Sequence, residues 1–142
     1  MQMGGGYRHI FELKKGKFKI ENEPYAAATL FWEIKGFSCE DRSRAEYRHF
    51  DYQSDAWRYR NKITVKLPWK FTKREIQPYV SDEVLCAVGE TIRFNQNRFS
   101  PGISMSLTKN FKTEIYYLLQ NTKNQGRRTD THVFGTKLKI TF

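Results

Sequence analysis

Strict alternation between charged and uncharged positions from Arg42 to Leu67 constrains this chain more than any other feature. Successive side chains of a β-strand point to opposite sides of a sheet, so a period of two predicts two strands joined by the polar turn 50–55. One face of these strands carries Arg42, Arg44, Glu46, Arg48, Arg58, Arg60 and Lys62. The opposite face of the second strand carries Trp57, Tyr59, Ile63, Val65 and Leu67. Whether the charged face points to the interior or to the exterior of the folded sheet therefore determines the class of protein.

The same alternation recurs along the chain and predicts eight strands. The six others cover residues 6–14, 25–35, 76–88, 97–107, 112–120 and 132–142. No segment reaches the roughly 18 to 20 apolar residues of a transmembrane helix. Hairpin connections and an even strand number predict an all-β fold, an up-and-down antiparallel barrel of about eight strands closed by the first and last strands. Residues 7–142 form this single domain, and residues 1–6 are interpreted as a glycine-rich lead that lacks the features of a signal peptide.

Two features favour a transmembrane β-barrel with its apolar face turned outward to lipid. The predicted turns are short at one rim and longer at the other, as in outer-membrane barrels. The short turns are 36–41, 68–75 and 108–111, and the longer ones are 14–24, 50–56, 89–96 and 121–131. Aromatic residues also border the apolar face, as in the aromatic girdles of such barrels. These predicted girdle residues are Trp57, Tyr59, Trp69, Phe134 and Phe142.

The charged face suits a closed lumen, in which guanidinium and carboxylate groups neutralise one another. The predicted lumen charge network consists of Arg8, Glu12, Glu33, Arg42, Arg44, Glu46, Arg48, Arg58, Arg60, Lys62, Glu83, Arg98 and Glu114. An eight-stranded barrel is just wide enough to be filled by its own side chains, so we expect no open channel. Structural pairing is the first interpretation of these arginines, and a specific anion site is the sharper alternative.

Two other functions remain open at this point. In a soluble lipocalin-like barrel that binds a hydrophobic small molecule, the apolar face would line the cavity with Trp32, Trp57, Tyr59, Ile63, Met105 and Leu119. A narrow anion-selective pore becomes credible if the barrel is wider than eight strands or oligomeric. The outward face predicted for the third strand (Asp41, Ser43, Ala45, Tyr47 and His49) suits lipid poorly, and Asn61 and Asp82 are similarly misplaced.

Catalytic chemistry has little support in the sequence. His9, His49 and His132 lack metal-ligand spacing, and the only candidate pair is His49 with Asp51 or Ser54 in a turn. Cys39 and Cys86 have no metal-like spacing and are predicted at opposite rims, too far apart to form a disulfide. We therefore predict no enzyme activity, no catalytic residue, no metal site and no cofactor.

The formal net charge of +10 indicates anionic partners. Nucleic acid is not expected, because arginines and aromatic residues lie on opposite faces of the strands, whereas stacking with phosphate contact needs them together. Basic residues in two predicted loops fall on one rim, where they could contact the phosphates of lipopolysaccharide. They are Lys14, Lys15, Lys17, Lys19, Lys123, Arg127 and Arg128. The other expected partners are the lipid bilayer, or detergent in its place, and the barrel-assembly machinery during insertion.

Ordered motifs in this chain resemble an uncharacterised family of Gram-negative outer-membrane β-barrel proteins, a domain of unknown function. The motifs are RSRAEYRHF, WRYRNKITVKLP, QPYVSDE, NRF and the C-terminal GTKLKITF. The resemblance runs from about Tyr7 to the end of the chain. It implies a barrel fold and location in the bacterial outer membrane, and it supplies no activity or catalytic residue. Relatives with additional N-terminal strands imply that this chain could be the C-terminal part of a wider barrel.

Overall fold

The computed structural model of the chain describes residues 1–14, 16–89, 92–124 and 127–141. Each strand pairs antiparallel with the next along the chain, in one sheet of eight strands. The strands are β1 (Gln2–Lys14), β2 (Lys17–Ile34), β3 (Phe37–Phe50), β4 (Ala56–Lys66), β5 (Gln77–Val88), β6 (Ile92–Ser106), β7 (Phe111–Asn124) and β8 (Arg127–Ile140). The prediction of an all-β, up-and-down antiparallel fold with eight strands is confirmed. The described part of the chain contains no helix that is long and apolar enough to cross a membrane.

The sheet curls into a half-barrel with a concave face and a convex face. Side chains of β2, β3 and β8 line one cavity on the concave face, although β3 and β8 are far apart in the sheet order. Within the described residues, β1 and β8 each pair with one neighbour, and no ladder joins them. The predicted closure by the first and last strands is therefore not confirmed by this sheet.

The connections differ in length from the prediction. β1 ends at Lys14 and β2 begins at Lys17, so most of the predicted loop 14–24 belongs to β2. Likewise, β7 continues to Asn124 and β8 begins at Arg127. The longest connection, 67–76, lies at the rim predicted to carry the short turns. The prediction of short turns at one rim and longer loops at the other was wrong. It interpreted polar segments as loops, whereas the backbone hydrogen bonds of a long hairpin need no apolar side chains.

Two names describe the ends of the sheet from here on. The distal rim is the end at which the odd-numbered strands finish, and it includes the connection 51–55. The proximal rim is the end at which those strands begin, and it includes the connection 67–76.

The N-terminal glycines belong to the sheet. Residues 1–6 were predicted to precede the barrel, but β1 begins at Gln2 and pairs with β2 from there. Gly6 lies directly opposite Tyr25, and a Cβ at Gly6 would lie 2.6 Å from the Tyr25 hydroxyl oxygen. Glycine within a strand often marks such a close approach of another group. The glycine run is therefore part of β1, and Gly6 leaves space for the ring of Tyr25.

The same glycine–tyrosine arrangement occurs at two further places in the sheet. Gly102 in β6 lies opposite Tyr79 in β5, and Gly135 in β8 lies opposite Tyr116 in β7. In each pair the tyrosine ring covers the glycine so closely that a Cβ would meet ring atoms at less than 3 Å. Aromatic cover of strand glycines fixes register and permits local bending of a curved sheet. These pairs help to explain how a sheet with so few buried apolar residues curls.

Candidate functional site

Alternation in β2 and β3 places three glutamates on the concave face, where they are buried. Glu23 and Glu46 have no exposed surface, and Glu21 is 7 % exposed. Among the described residues the buried hydrophobic side chains are only Phe50, Tyr79 and Leu85. The best-protected part of this protein is therefore charged. A buried carboxylate is costly unless it is paired and hydrogen-bonded, so its partners determine whether the arrangement is stable.

Glu46 lies at the centre of this buried group. Its Oε2 accepts a hydrogen bond from Arg58 Nε, and its Oε1 lies 3.2 Å from Arg60 Nη1. Arg44 on the same strand contacts Oε1 through Nη2, and Arg8 Nη2 lies 3.6 Å from the same oxygen. Four guanidinium groups thus surround one carboxylate and share its single negative charge.

Two further glutamates extend the pairing across β1, β2 and β4. Glu23 accepts hydrogen bonds from Arg8 Nη2 and from Arg58 Nη2, the latter at 2.8 Å. Glu21 receives a two-pronged contact from Arg48, with Nε at 2.5 Å and Nη2 at 3.0 Å. Bidentate guanidinium–carboxylate geometry is the strongest form of this interaction, and it holds both side chains in one orientation.

Glu83 in β5 carries the pairing toward β6 and β7. Its Oε1 accepts from Arg60 Nη2 at 2.6 Å, and its Oε2 accepts from Arg98 Nη1 at 3.3 Å. Arg98 Nε donates to Gln120 Oε1 at 2.9 Å. We call the ten ionic residues the arginine–glutamate network. They are Arg8, Glu21, Glu23, Arg44, Glu46, Arg48, Arg58, Arg60, Glu83 and Arg98.

The remaining residues of the predicted lumen set lie apart from this network. Glu12 and Glu33 are exposed near the ends of β1 and β2. Arg42, Lys62 and Glu114 lie on the concave face nearer the proximal rim, where they line cavities. Glu114 Oε2 is 3.8 Å from Lys137 Nζ.

The sequence-based prediction omitted three residues that take part in this site. Glu21 and Glu23 had been assigned to a loop, and Tyr25 carries the Arg44 guanidinium 4.5 Å from its ring centroid. All three occupy alternate positions on the strand that continues to Thr29. Extending the period of two backwards from that strand would have placed them on the charged face.

The convex face is apolar and exposed. Of the predicted girdle residues, Trp57 is 53 % exposed, Trp69 57 % and Phe134 76 %, whereas Phe142 lies outside the described residues. Tyr59 donates to or accepts from the Ser43 hydroxyl at 2.9 Å. Other large exposed residues of this face include Phe11, Leu30, Trp32, Ile63, Phe99, Ile103, Leu138 and Ile140.

A lipocalin-like barrel is not favoured by this arrangement. Trp32, Trp57 and Ile63, which were expected to line a ligand cavity in that alternative, are exposed on the convex face. The cavities of the concave face are lined mainly by charged and hydroxyl-bearing side chains. An interior of this kind does not suit a hydrophobic ligand, because its charged groups would lose water without gaining partners.

Polar residues on the convex face pair with one another. Asn61 Nδ2 donates to Asp41 Oδ1 at 2.5 Å and to the Ser43 hydroxyl at 3.1 Å. Asn97 Nδ2 lies 3.0 Å and 3.1 Å from the two carboxylate oxygens of Asp82. These cross-strand contacts give partners to groups that looked misplaced in the sequence, because paired strands bring them together.

His49 is bound to Asp55, not to Asp51 or Ser54 as the sequence suggested. Asp55 Oδ2 accepts from the Tyr47 hydroxyl at 2.6 Å and lies 2.9 Å from His49 Nδ1. Asp55 Oδ1 accepts from the backbone N–H of Phe50 at 3.2 Å. The contacts from His49 and then Tyr47 lower the pKa of Asp55 to about 2. This group ties the connection 51–55 to the end of β3, which is a structural task.

No metal-binding arrangement occurs within the described residues. No three His, Cys, Asp or Glu side chains of this part of the chain are placed to hold a metal ion. Cys39 and Cys86 are free, near the start of β3 and the end of β5.

The basic residues predicted in loops lie in strand ends at the distal rim. Lys17 and Lys19 begin β2, Lys123 is near the end of β7, and Arg127 and Arg128 begin β8. Lys14 ends β1, and Lys15 lies outside the described residues. Lys19 Nζ lies 4.1 Å from the ring centroid of Tyr52. Hairpin ends, and not flexible loops, therefore present these cations at one rim.

Comparison with known proteins gives a family and no function. A family model described as Protein of unknown function (DUF2490) matches residues 1–131. The comparison with curated proteins and the comparison with solved structures each gave no match. The predicted resemblance to an uncharacterised family is confirmed, and the match includes the N-terminal glycines that the structure places in β1.

Proposed function

We propose that this chain, which belongs to the DUF2490 family of proteins of unknown function, is a β-barrel protein of the bacterial outer membrane. Its role in this proposal is structural or interactive: anchoring in the membrane, envelope integrity, or contact through the distal rim. The observation that carries the proposal is the inverted distribution of side chains. Carboxylates are buried on the concave face, and large apolar side chains are exposed on the convex face.

The exposed apolar surface is the first support. Monomeric proteins in water rarely expose a contiguous apolar patch of more than a few hundred Å². Leaving one large apolar side chain in water forgoes roughly 1.5–3 kcal/mol relative to burial. Phe11, Leu30, Trp32, Ile63 and Ile103 are each at least 39 % exposed. Lipid in contact with the convex face would remove this cost.

The arginine–glutamate network is the second support. A barrel in lipid keeps its polar side chains inside, and eight strands leave an interior that side chains can fill. The network spans β1 to β6 and fills part of such an interior. A filled interior agrees with a non-conducting barrel, whereas an anion-selective pore needs more strands than the eight described here.

Closure of the sheet belongs to this proposal. Open sheet edges are not tolerated in the hydrocarbon region, because their N–H and C=O groups would lack partners. Pairing of β1 with β8 would satisfy both edges and enclose the network. Insertion would then depend on the barrel-assembly machinery, the partner expected of such a protein.

Refolding with and without detergent tests the proposal. We expect the purified chain to aggregate in plain buffer and to fold in detergent micelles. The folded form should migrate differently from the boiled form on a gel, because a closed barrel resists unfolding by the gel detergent. A well-dispersed, folded monomer in plain buffer would contradict a lipid-facing convex surface.

Contact with lipopolysaccharide at the distal rim gives a second prediction. Exposed cations at this rim suit phosphate groups, since lysine and arginine bind phosphate through charge-assisted hydrogen bonds. Replacing the described basic rim residues by glutamine should weaken binding to lipid A vesicles at low ionic strength, measured by vesicle co-sedimentation. They are Lys17, Lys19, Lys123, Arg127 and Arg128.

Glutamine replacements of two lysines in the connection 67–76 provide the control, and Lys17→Gln with Lys123→Gln is the distal variant that loses the same charge. Lys70 and Lys73 are exposed at the proximal rim. Their loss should leave the vesicle binding near that of the unmodified chain. Equal binding by the distal variant and the unmodified chain would rule out the lipopolysaccharide contact without affecting the proposal of membrane insertion.

A further inference from the structure

The proximal half of the concave face holds cations that form no direct ion pair among the described residues. Arg42 in β3 lies directly opposite Lys62 in β4, and Lys112 in β7 lies directly opposite Lys139 in β8. Among the described residues, none of these four has a carboxylate oxygen within 4.0 Å. Arg44 and Arg60, the next opposed cation pair, differ because Glu46 contacts both. The two proximal pairs therefore lack the direct ion pairs that Glu46 supplies to Arg44 and Arg60.

Opposed like charges are unfavourable in a sheet. Two directly opposed charges of equal sign destabilise the pairing of two strands. The repulsion increases where burial lowers the effective dielectric constant. Lys62 is partly buried, so its charge is not screened by bulk water alone. An anion placed between these cations would relieve the repulsion.

Adjoining cavities give such an anion a place. A cavity of about 210 Å³ is lined by cations, carboxylates and hydroxyl-bearing residues, which include Lys62, Arg98, Lys137, Glu83, Glu114, Tyr79 and Ser81. A smaller one of about 90 Å³ shares Lys62 and Lys137 and adds Lys139. Because they share side chains, these spaces form one cleft between β4 and β8.

A third cavity continues the cleft toward β2. It has a volume of about 370 Å³ and is lined by Arg42, Lys139 and Glu40 among others. We call the three joined cavities the proximal cleft. Together they are lined by the cations Arg42, Lys62, Lys66, Arg98, Lys137 and Lys139 and by the carboxylates Glu40, Glu83 and Glu114.

We propose that the proximal cleft binds a small polyvalent phosphate, a ligand with two or more negative charges and several acceptor oxygens. Six cations against three carboxylates leave a positive excess that a singly charged anion would not balance. Lysine binds phosphate as a point charge, and hydroxyl groups can donate to the remaining oxygens. The site is separate from the distal rim, and it does not depend on where the protein resides.

Titration with inorganic pyrophosphate tests this site. The chain is folded in whichever medium, buffer or micelle, gives the β-sheet spectrum by circular dichroism, and heat is measured by calorimetry at low ionic strength. We expect saturable binding by the unmodified chain. Replacement of Lys62 and Lys139 by methionine should weaken the affinity by about tenfold or more, because each lost lysine removes a charge-assisted contact.

The control removes two charges elsewhere. Lys17→Gln with Lys123→Gln lowers the net charge equally at the distal rim, and it should leave pyrophosphate affinity within about twofold. Should the methionine variant fail to fold, Lys139→Gln alone provides the test, because this side chain is exposed on an edge strand. An absence of saturable binding, or equal weakening by the control, would overturn the proposal.

A second titration identifies the source of the phosphate group. A free phosphate and a lipid headgroup offer the same chemistry, so a short-chain phosphatidic acid is compared with pyrophosphate. Tighter binding of pyrophosphate assigns the cleft to a free anion, and tighter binding of the lipid assigns it to a headgroup. Either result supports a phosphate site, provided that Lys139→Gln weakens the binding. Loss of this site leaves the detergent experiment untouched, so the two proposals fail separately.

Discussion

Replacing Glu46 by glutamine is expected to produce the largest loss of stability in this protein. The side chain has no exposed surface and contacts Arg44, Arg58 and Arg60. Glutamine keeps the shape but removes the negative charge, which leaves these groups and the more distant Arg8 guanidinium around a neutral amide. Breaking a buried ion pair by removing one partner costs about 3–5 kcal/mol. Since folded domains are stable by only about 5–15 kcal/mol, the variant should lie near its limit of folding.

The measurement is the urea midpoint of the refolded chain, followed by tryptophan fluorescence. Glu40→Gln is the matched control, because Glu40 lies on the same face of β3 and has no ion pair among the described residues. It should shift the free energy of unfolding by less than about 1 kcal/mol. Adding Arg44→Gln to the Glu46 variant should recover part of the loss, since one uncompensated cation disappears. Equal midpoints for the two glutamate variants would show that the network does not stabilise the fold.

The alternation of charged and apolar residues predicted the strands, because a strand shows a period of two whether or not its sheet closes into a barrel. The placement of Arg58, Arg60 and Glu83 on the charged face follows directly from that period, and the strand order follows from the hairpin connections. Side-chain partners do not follow from it. His49 and Asp55 are brought together by the shape of the connection 51–55, which a period of two does not describe.

The sequence-based prediction did not recognise the polar ends of the strands, for a different reason. Glu21 and Glu23 sit among lysines and asparagine, a composition typical of loops. Their burial depends on arginines in β1, β3 and β4, distant in the chain. The composition of a short segment gives no information about ion-pair partners that are distant in the chain. The register that brings them together is set by tertiary pairing, which also explains why closure of the sheet could not be derived from strand number alone.

Replacing Gly102 by alanine is the second change with a large expected effect. A Cβ at this position would lie 2.7 Å from the Ile115 carbonyl oxygen and 2.8 Å from Tyr79 Cζ. Neither the backbone of β7 nor the packed ring can move freely, so we expect a loss of about 1–3 kcal/mol, as for overpacked interiors. Gly4→Ala is the control, because nothing lies within 4 Å of a Cβ there. It should be neutral, or stabilising by up to about 1 kcal/mol through a less flexible unfolded chain.

A comparison of two glycines separates backbone contact from ring contact. At Gly135 the three atoms nearest to a Cβ all belong to Tyr116, at 2.6–2.9 Å, whereas at Gly102 the nearest is a backbone oxygen. Tyr116→Leu should therefore restore much of the stability lost in Gly135→Ala, because removing the ring tip removes the clash. Tyr79→Leu should restore little in Gly102→Ala, because the Ile115 oxygen stays in place. Urea midpoints for both double-mutant cycles measure this difference. Equal rescue at the two sites would mean that the rings alone determine the close approach, and that the sheet backbone yields more than its geometry implies.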